Sequence, residues 1–284
     1  MKARIFRSRL LHIGVVALSA LTAVPLLAIL GKVVVEGWHQ LNWGFFTQAQ
    51  PSTFRAMQAV ANGELIPGGI ANGIVGTLLM LLMAAAVAVP LGVMGGIFLA
   101  ENAKRPFARV VSFMTDLLQG TPSIIIGIIV YVWVVVPTQG YSALAGSVAL
   151  LIMMLPLIVR STEETLKMLP LSLKEAGLAL GGSYFRVVTH VLLPSAFGGI
   201  FTGILLAVSR VIGETAPLMF TALGCALVQW NVGRPMSSVP LLIWQFYNDP
   251  NMQSLIWSAS LCLLLFVLLL NVTSKLVSKK WKIY

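Results

Sequence analysis

Two charged residues interrupt a strongly apolar stretch, in the run Ser209-Arg210-Val211-Ile212-Gly213-Glu214-Thr215-Ala216-Pro217-Leu218. A charge at mid-bilayer costs roughly 2.5–3.5 kcal/mol on insertion scales, so such groups face a protein interior or a water-filled path. A spacing of four puts Arg210 and Glu214 on one helical face, within pairing reach. Two chemistries fit. One is a structural ion pair or a link to a partner's helices, which lowers the cost of burial but is weak evidence of net stability. The other is a transient anion site: the planar guanidinium fork of Arg210 grips a tetrahedral oxyanion at two points, and Glu214 occupies it until substrate or rotation releases it. Thr215 adjoins the pair, and Pro217 places a flexible joint one turn later. Gly120-Thr121-Pro122-Ser123 is a second candidate lining, offering backbone N–H groups and hydroxyls; the plainer reading is a helix kink. Asp116, one turn earlier, reaches water near the end of its span.

Other chemistries find little support. Cys225 and Cys262 have no metal or redox spacing and read as small apolar filler. Three histidines, His12, His39 and His190, read as surface or interface residues, and no HExxH or Gly-x-Ser-x-Gly motif occurs. The chain is therefore expected to be non-catalytic, with no metal and no cofactor of its own. Gly31-Lys32 lacks the upstream glycine loop of a nucleotide-binding motif. A net charge of +10 raises the question of nucleic acid, but the basic residues cluster beside apolar runs, the signature of a membrane protein.

Composition agrees. Hydrophobic residues make up 58% of the 284 and charged residues 10%, against about 25% charged in soluble domains; mean hydropathy is +0.91. The elements that must position Arg210 are membrane helices. Spans of roughly 20 residues fall near 12–34, 70–99, 107–136, 142–160, 196–223 and 254–273, giving an all-α protein with six transmembrane helices. The 12–34 run is longer than a signal-peptide core and reads as a retained first span. Four domain-level segments follow: a first helix in 1–35, an external segment 36–69, a five-helix core 70–273 carrying a cytoplasmic loop 161–194, and a basic tail 274–284.

Positive charge orients them. Lys2, Arg4, Arg7, Arg9, Lys104, Arg105, Arg109, Arg160, Lys167, Lys174, Arg186, Lys275, Lys279, Lys280 and Lys282 fall on one side, against Lys32, Arg55 and Arg234 on the other. Both termini and the 160–190 loop are expected in the cytoplasm. The outer segments 36–69 and 224–253 carry Trp38, Trp43, Phe45, Phe46, Trp230, Trp244, Phe246 and Tyr247. These read as an aromatic belt at the membrane surface or as a landing surface for an external partner.

The 160–190 loop has internal order. Ser172 and Glu175 form a capping box for a helix from Leu173 to Leu180, stopped at Gly181-Gly182, with Leu173, Ala176, Gly177 and Leu180 on one face. Ser183 caps a second short helix through Leu192 with Phe185, Val188 and Val191 or Leu192 inward, and Pro194 opens the next segment. The alternative is an amphipathic hairpin lying on the bilayer.

The loop also carries a resemblance. Glu175-Ala176-Gly177, three residues, Gly181, nine residues, Val191, one residue, Leu193-Pro194 is similar to the EAA loop of ABC-importer permeases, with Gly177 in place of Ala and Val191 in place of Ile. With Gly213-Glu214-Thr215-Ala216-Pro217-Leu218, Phe220-Thr221-Ala222, Pro90-Leu91-Gly92 and the Gly120, Pro122, Ser123 segment, the chain from about residue 70 onward resembles the PstA-type permeases of bacterial phosphate ABC importers. The resemblance implies a type I importer permease fold in the inner membrane. It implies a heterodimer with a PstC-like permease, two PstB-like ATPase subunits that bind ATP and magnesium and dock on the loop, and an external phosphate-binding protein. It links Arg210 and Glu214 to phosphate passage. Permeases for sulfate, molybdate or amino acids remain open, as does an ATP-independent channel or secondary transporter, though a channel gains nothing from such a loop.

Overall fold

The computed structural model describes residues 2–280; its regular elements are helices, with no strand among the described residues. The helices are α1 (Lys2–Gly37), α2 (Trp43–Thr47), α3 (Thr53–Asn62), α4 (Ala71–Asn102), α5 (Pro106–Gly120), α6 (Ser123–Val130), α7 (Val136–Thr138), α8 (Ala143–Lys167), α9 (Leu171–Ala179), α10 (Tyr184–Val187), α11 (Leu193–Ile212), α12 (Ala216–Thr221), α13 (Val239–Tyr247) and α14 (Gln253–Lys280). Five stretches are long and apolar enough to cross a membrane: Leu11–Gly37, Ala71–Asn102, Ala143–Lys167, Tyr184–Ile212 and Pro250–Val277. The sixth is a bent pair, Pro106–Gly120 with Ser123–Thr138. Residues 1 and 281–284 of the expected first helix and basic tail lie outside the described residues.

α8 is the axis of the bundle. α4 and α11 clasp it from two sides through glycines spaced four apart. A Cβ on Gly92 or Gly96 would strike Ile158 or Thr162, and one on Gly199 or Gly203 would strike Thr165 or Ser161. Small residues at such crossings let backbones approach closely, which is how helices associate where water supplies no hydrophobic drive. Around this axis Met80, Ala84, Val130, Ala149, Met154, Ile158, Ala207 and Val211 form the main core.

A second core closes one end. Phe45, Ile66 and Ile70 pack with Leu242, Phe246, Met252 and Leu255. This corrects the belt and landing-surface expectation for Phe45 and Phe246, which are fully buried, whereas Trp38, Trp43, Trp230 and Tyr247 are exposed. The two outer segments fold onto each other, and the rings nearest their junction become core.

The third span is not a plainly kinked helix. Its halves are bent by 105°. Pro122 has no N–H to continue the ladder and pushes the residue before it out of helical geometry; Thr121 is extended, φ −75° and ψ 128°. The fifth span also differs from 196–223. One helix runs continuously from Tyr184 to Ile212, passing through a π-helical turn, Val188–Leu192, where Leu193 N–H bonds to Val188 O. Pro194 therefore does not open a new segment. A proline inside a helix clashes with the carbonyl four residues back, and the wider turn moves that carbonyl aside. A similar turn, Tyr131–Val135, precedes Pro137.

Candidate translocation cleft and coupling knob

Span five ends where its sequence changes character. α11 stops at Ile212, Gly213 follows, and α12 begins at Ala216 with Pro217 in its first turn. Pro217 has no N–H to continue the ladder back to the Gly213 carbonyl, and the helix is interrupted over residues 213–215. Glu214 consequently lies off the α11 face that carries Arg210. The two make no ion pair, which corrects the pairing expected from their spacing of four; the ion pairs among the described residues are formed by Arg160, Lys167 and Lys174. Pro217 is buried against Gly127 of α6 and serves packing, and Thr215 is half-buried at the start of α12.

Arg210 is exposed and lines a cleft of about 670 Å³ between α5, α8 and α11. Asp116, Gln119, Arg160, Ser161 and Glu164 share its walls. Gly120, Pro122 and Ser123 lie at the elbow just beyond Gln119 and do not line it; Gly120 and Pro122 are exposed. The cleft holds two arginines in opposite circumstances. Arg160 donates from Nε to Asp116 (3.0 Å), from Nη1 to Glu163 (2.6 Å), and from Nη2 to the Ser112 carbonyl (3.0 Å) and hydroxyl (2.7 Å). Glu163 in turn accepts from Lys167 at 2.6 Å. Arg210 has no hydrogen bond or ion pair among the described residues.

Its charge alone places Arg160 in the cytoplasmic loop. It lies instead within α8, which continues to Lys167, and it joins α5 to α8. The missed signal was local: Arg160, Glu163 and Lys167 recur at three and four residues, the spacing of one helix face. Asp116 completes that group.

The predicted loop forms a knob beside the C-terminal ends of α4 and α8. α9 starts at Leu171, with Pro170 before it and no side-chain cap, so Ser172 does not cap with Glu175; proline at the entry starts the helix two residues early. The stop agrees with expectation. Gly181 is left-handed at φ 79°, and Gly181 and Gly182 N–H bond back to Leu178 O and Gly177 O, a Schellman closure. A Cβ on Gly177 would sit 3.0 Å from both Val187 methyls, which accounts for glycine where the loop pattern has alanine. Val187, Val188 and Leu192 are buried, whereas Phe185, expected inward, is 75% exposed. Leu180, Leu171 and Met168 are likewise exposed. Glu175 and Ala176 are exposed on α9, Leu193 is half-buried and Pro194 is exposed. Glu175 has no hydrogen-bond or ion-pair partner among the described residues. Lys174 pairs with Glu101 at the end of α4 and lies over the Tyr184 ring, 5.3 Å from its centroid, tying the knob to the bundle.

Residues 92–283 match the family model described as "Binding-protein-dependent transport system inner membrane component". The chain is 37% identical over 260 residues to the phosphate transport system permease protein PstA of Yersinia pestis, covering 90% of this chain and 85% of that one. The chain belongs to the PstA permease family. The PstA protein of Xylella fastidiosa (strain Temecula1) is 41% identical over 220 residues, 76% of this chain and 77% of that one. In structure, a chain of the inward-facing MetNI methionine ABC transporter superposes with a TM-score of 0.60 at 19% identity, covering 82% of this chain and 99% of that one; it shares the fold. Members of the family are multi-pass inner-membrane components of transport systems that depend on a binding protein, and the six apolar spans here accord with that.

Proposed function

We propose that this chain is the transmembrane permease subunit of an ATP-driven inorganic phosphate importer. It forms half of the path, pairing with a PstC-like permease, while two PstB-like ATPases carry the ATP, the magnesium and the hydrolysis. An external phosphate-binding protein delivers the substrate. Both termini and the α9 knob face the cytoplasm, in keeping with the distribution of Lys and Arg.

The observation that carries the reading is Arg210, an unpaired guanidinium in a cleft inside the bundle. A cation at that depth is costly unless it meets an anion or water, and Arg160, fully engaged by its neighbours, is not available for that role. Arg210 offers a fork of donors to a passing tetrahedral oxyanion. Its hold must be loose enough to let the ion leave, which suits a single cation in an open cleft. The exposed face of Leu180, Phe185 and Leu171, with the unpartnered Glu175 beside it, is the surface an ATPase would grip, and Lys174–Glu101 passes its movement into α4.

The test is ATP-dependent uptake of labelled phosphate in proteoliposomes holding the complete complex and its binding protein. Losing a charge-assisted hydrogen bond worth roughly 1.5–3 kcal/mol lowers uptake by about 10- to 100-fold in Arg210→Ala, with assembly and basal ATP hydrolysis kept. Failure of the variant to assemble would make Arg210 structural. An assembled wild type that imports another oxyanion and not phosphate would keep the machine and replace the substrate.

A further inference from the structure

The cleft is not built as a simple anion trap. Its four charged lining residues, Asp116, Arg160, Glu164 and Arg210, balance formally. Asp116 and Arg160 neutralise each other through Oδ1 of Asp116, which takes both guanidinium contacts. Among the described residues Asp116 Oδ2 has no donor, and its side chain is 59% exposed. Glu164 is exposed and has no hydrogen-bond or ion-pair partner among the described residues. An entering ion therefore meets one free set of donors, on Arg210, and three free carboxylate oxygens, one on Asp116 and two on Glu164. Those oxygens repel a bare anion and accept a hydrogen bond from an O–H.

We propose that this cleft screens tetrahedral oxyanions for a proton: Arg210 holds the unprotonated oxygens while Glu164, assisted by Asp116 Oδ2, accepts a hydrogen bond from the anion's O–H. Phosphate and arsenate retain an O–H at neutral pH and satisfy both halves of the site. Sulfate and molybdate retain none, and present only negative oxygens to the carboxylates. The inference rests on the reading of the Arg210 cleft as the anion path. It adds that the membrane subunit discriminates by itself, apart from any selection made by the binding protein. Sites that hydrogen-bond a substrate O–H reject analogues lacking it far more strongly than hydrophobic pockets reject an extra methylene, and repulsive groups are a standard route to specificity.

The experiment removes the binding protein. The complete permease–ATPase complex in nanodiscs is mixed with inorganic phosphate, and broadening of the phosphorus NMR signal reports contact with the cleft. Arsenate and sulfate are then titrated as competitors against wild type, Glu164→Gln and Arg210→Ala. Glu164→Gln keeps the side chain's shape and disturbs no partner. In wild type, sulfate is expected to compete at least about 10-fold more weakly than arsenate, a modest share of what a buried site achieves. In Glu164→Gln the two should compete within about 3-fold of each other, and Arg210→Ala should abolish the broadening. Equal competition by sulfate in wild type overturns the screen, as does undiminished rejection of sulfate by Glu164→Gln. Absence of broadening in wild type, or its persistence in Arg210→Ala, overturns the site itself. A complex that imports phosphate with its binding protein yet gives any of those results defeats this inference alone; a complex that imports no phosphate defeats the functional reading beneath it.

Discussion

Two arginines in one cleft show how partners decide what a side chain does. Arg160 spends its donors on Asp116, Glu163 and Ser112, so it fixes α5 to α8. Removing one partner of such a pair leaves an uncompensated charge, at about 3–5 kcal/mol when buried. Arg160→Ala should therefore lower the thermal stability of the detergent-solubilised protein markedly. Arg160→Lys, which keeps the charge and loses the fork, should restore only part of it. Arg210, with nothing to lose in the fold, should show the reverse: melting unchanged on substitution and uptake lost. A melting temperature that falls equally for both would erase the distinction.

At the scale of elements, prolines and glycines do most of the shaping. Pro122 makes an elbow of the third span, Pro194 and Pro137 are absorbed by π-helical turns, and Gly177 lets α9 lie on Val187. The knob that results presents Leu180, 90% exposed, and Phe185. Substituting Phe185→Asp should weaken co-purification of the ATPase several-fold, because an exposed apolar anchor becomes a charge in the interface. Glu175→Ala should reduce ATPase association or coupled uptake with normal membrane insertion; unchanged co-purification and uptake would remove Glu175 from the interface. At the opposite end, Thr53 on α3 donates to Asp249, which also accepts from Asn251, and these bonds hold the Asp249 carboxyl below its ordinary range. The depressed folded-state pKa means that this link contributes above the unfolded value, about 3.9, and is lost as pH falls through the lower folded value. Hydrogen exchange at the Asn251 amide should therefore speed up on acidification below about pH 4, relative to exchange in Asp249→Asn at the same pH. Equal behaviour of the two proteins would rule the link out.

As a whole, the molecule leaves large apolar faces uncovered. α1 is unburied along its apolar window and meets the bundle near Gly37, where Ser258 donates to the Gly37 carbonyl and Lys32 stacks on Trp257. The outward residues of α6, including Ile124, Ile125 and Ile128, are equally open. We assign this uncovered surface to lipid and to the partner permease proposed above. The sidedness proposed above, from the Lys and Arg distribution, can be tested directly. Single cysteines introduced at Leu180 and at Trp43 should react with an impermeant reagent from opposite faces of oriented vesicles. Labelling of both from one face would break the topology.

Membrane class, the six apolar spans, an ordered loop ending α9 at Gly181 and Arg210 as the residue to test are all legible in the amino-acid order alone. Each of these is local: hydropathy, charge distribution and turn chemistry act over a few neighbouring residues. Which groups meet is set by the folded arrangement. A spacing of four joined Arg210 to Glu214 on an assumed continuous helix, but the break before Pro217 separated them. Arg160 looked like a loop charge until α5 came alongside with Asp116 and Ser112, 44 and 48 residues earlier in the chain. Phe45 and Phe246 looked like belt residues until the two outer segments packed together. Periodicity says which residues share a face, but what lies opposite that face depends on long-range packing.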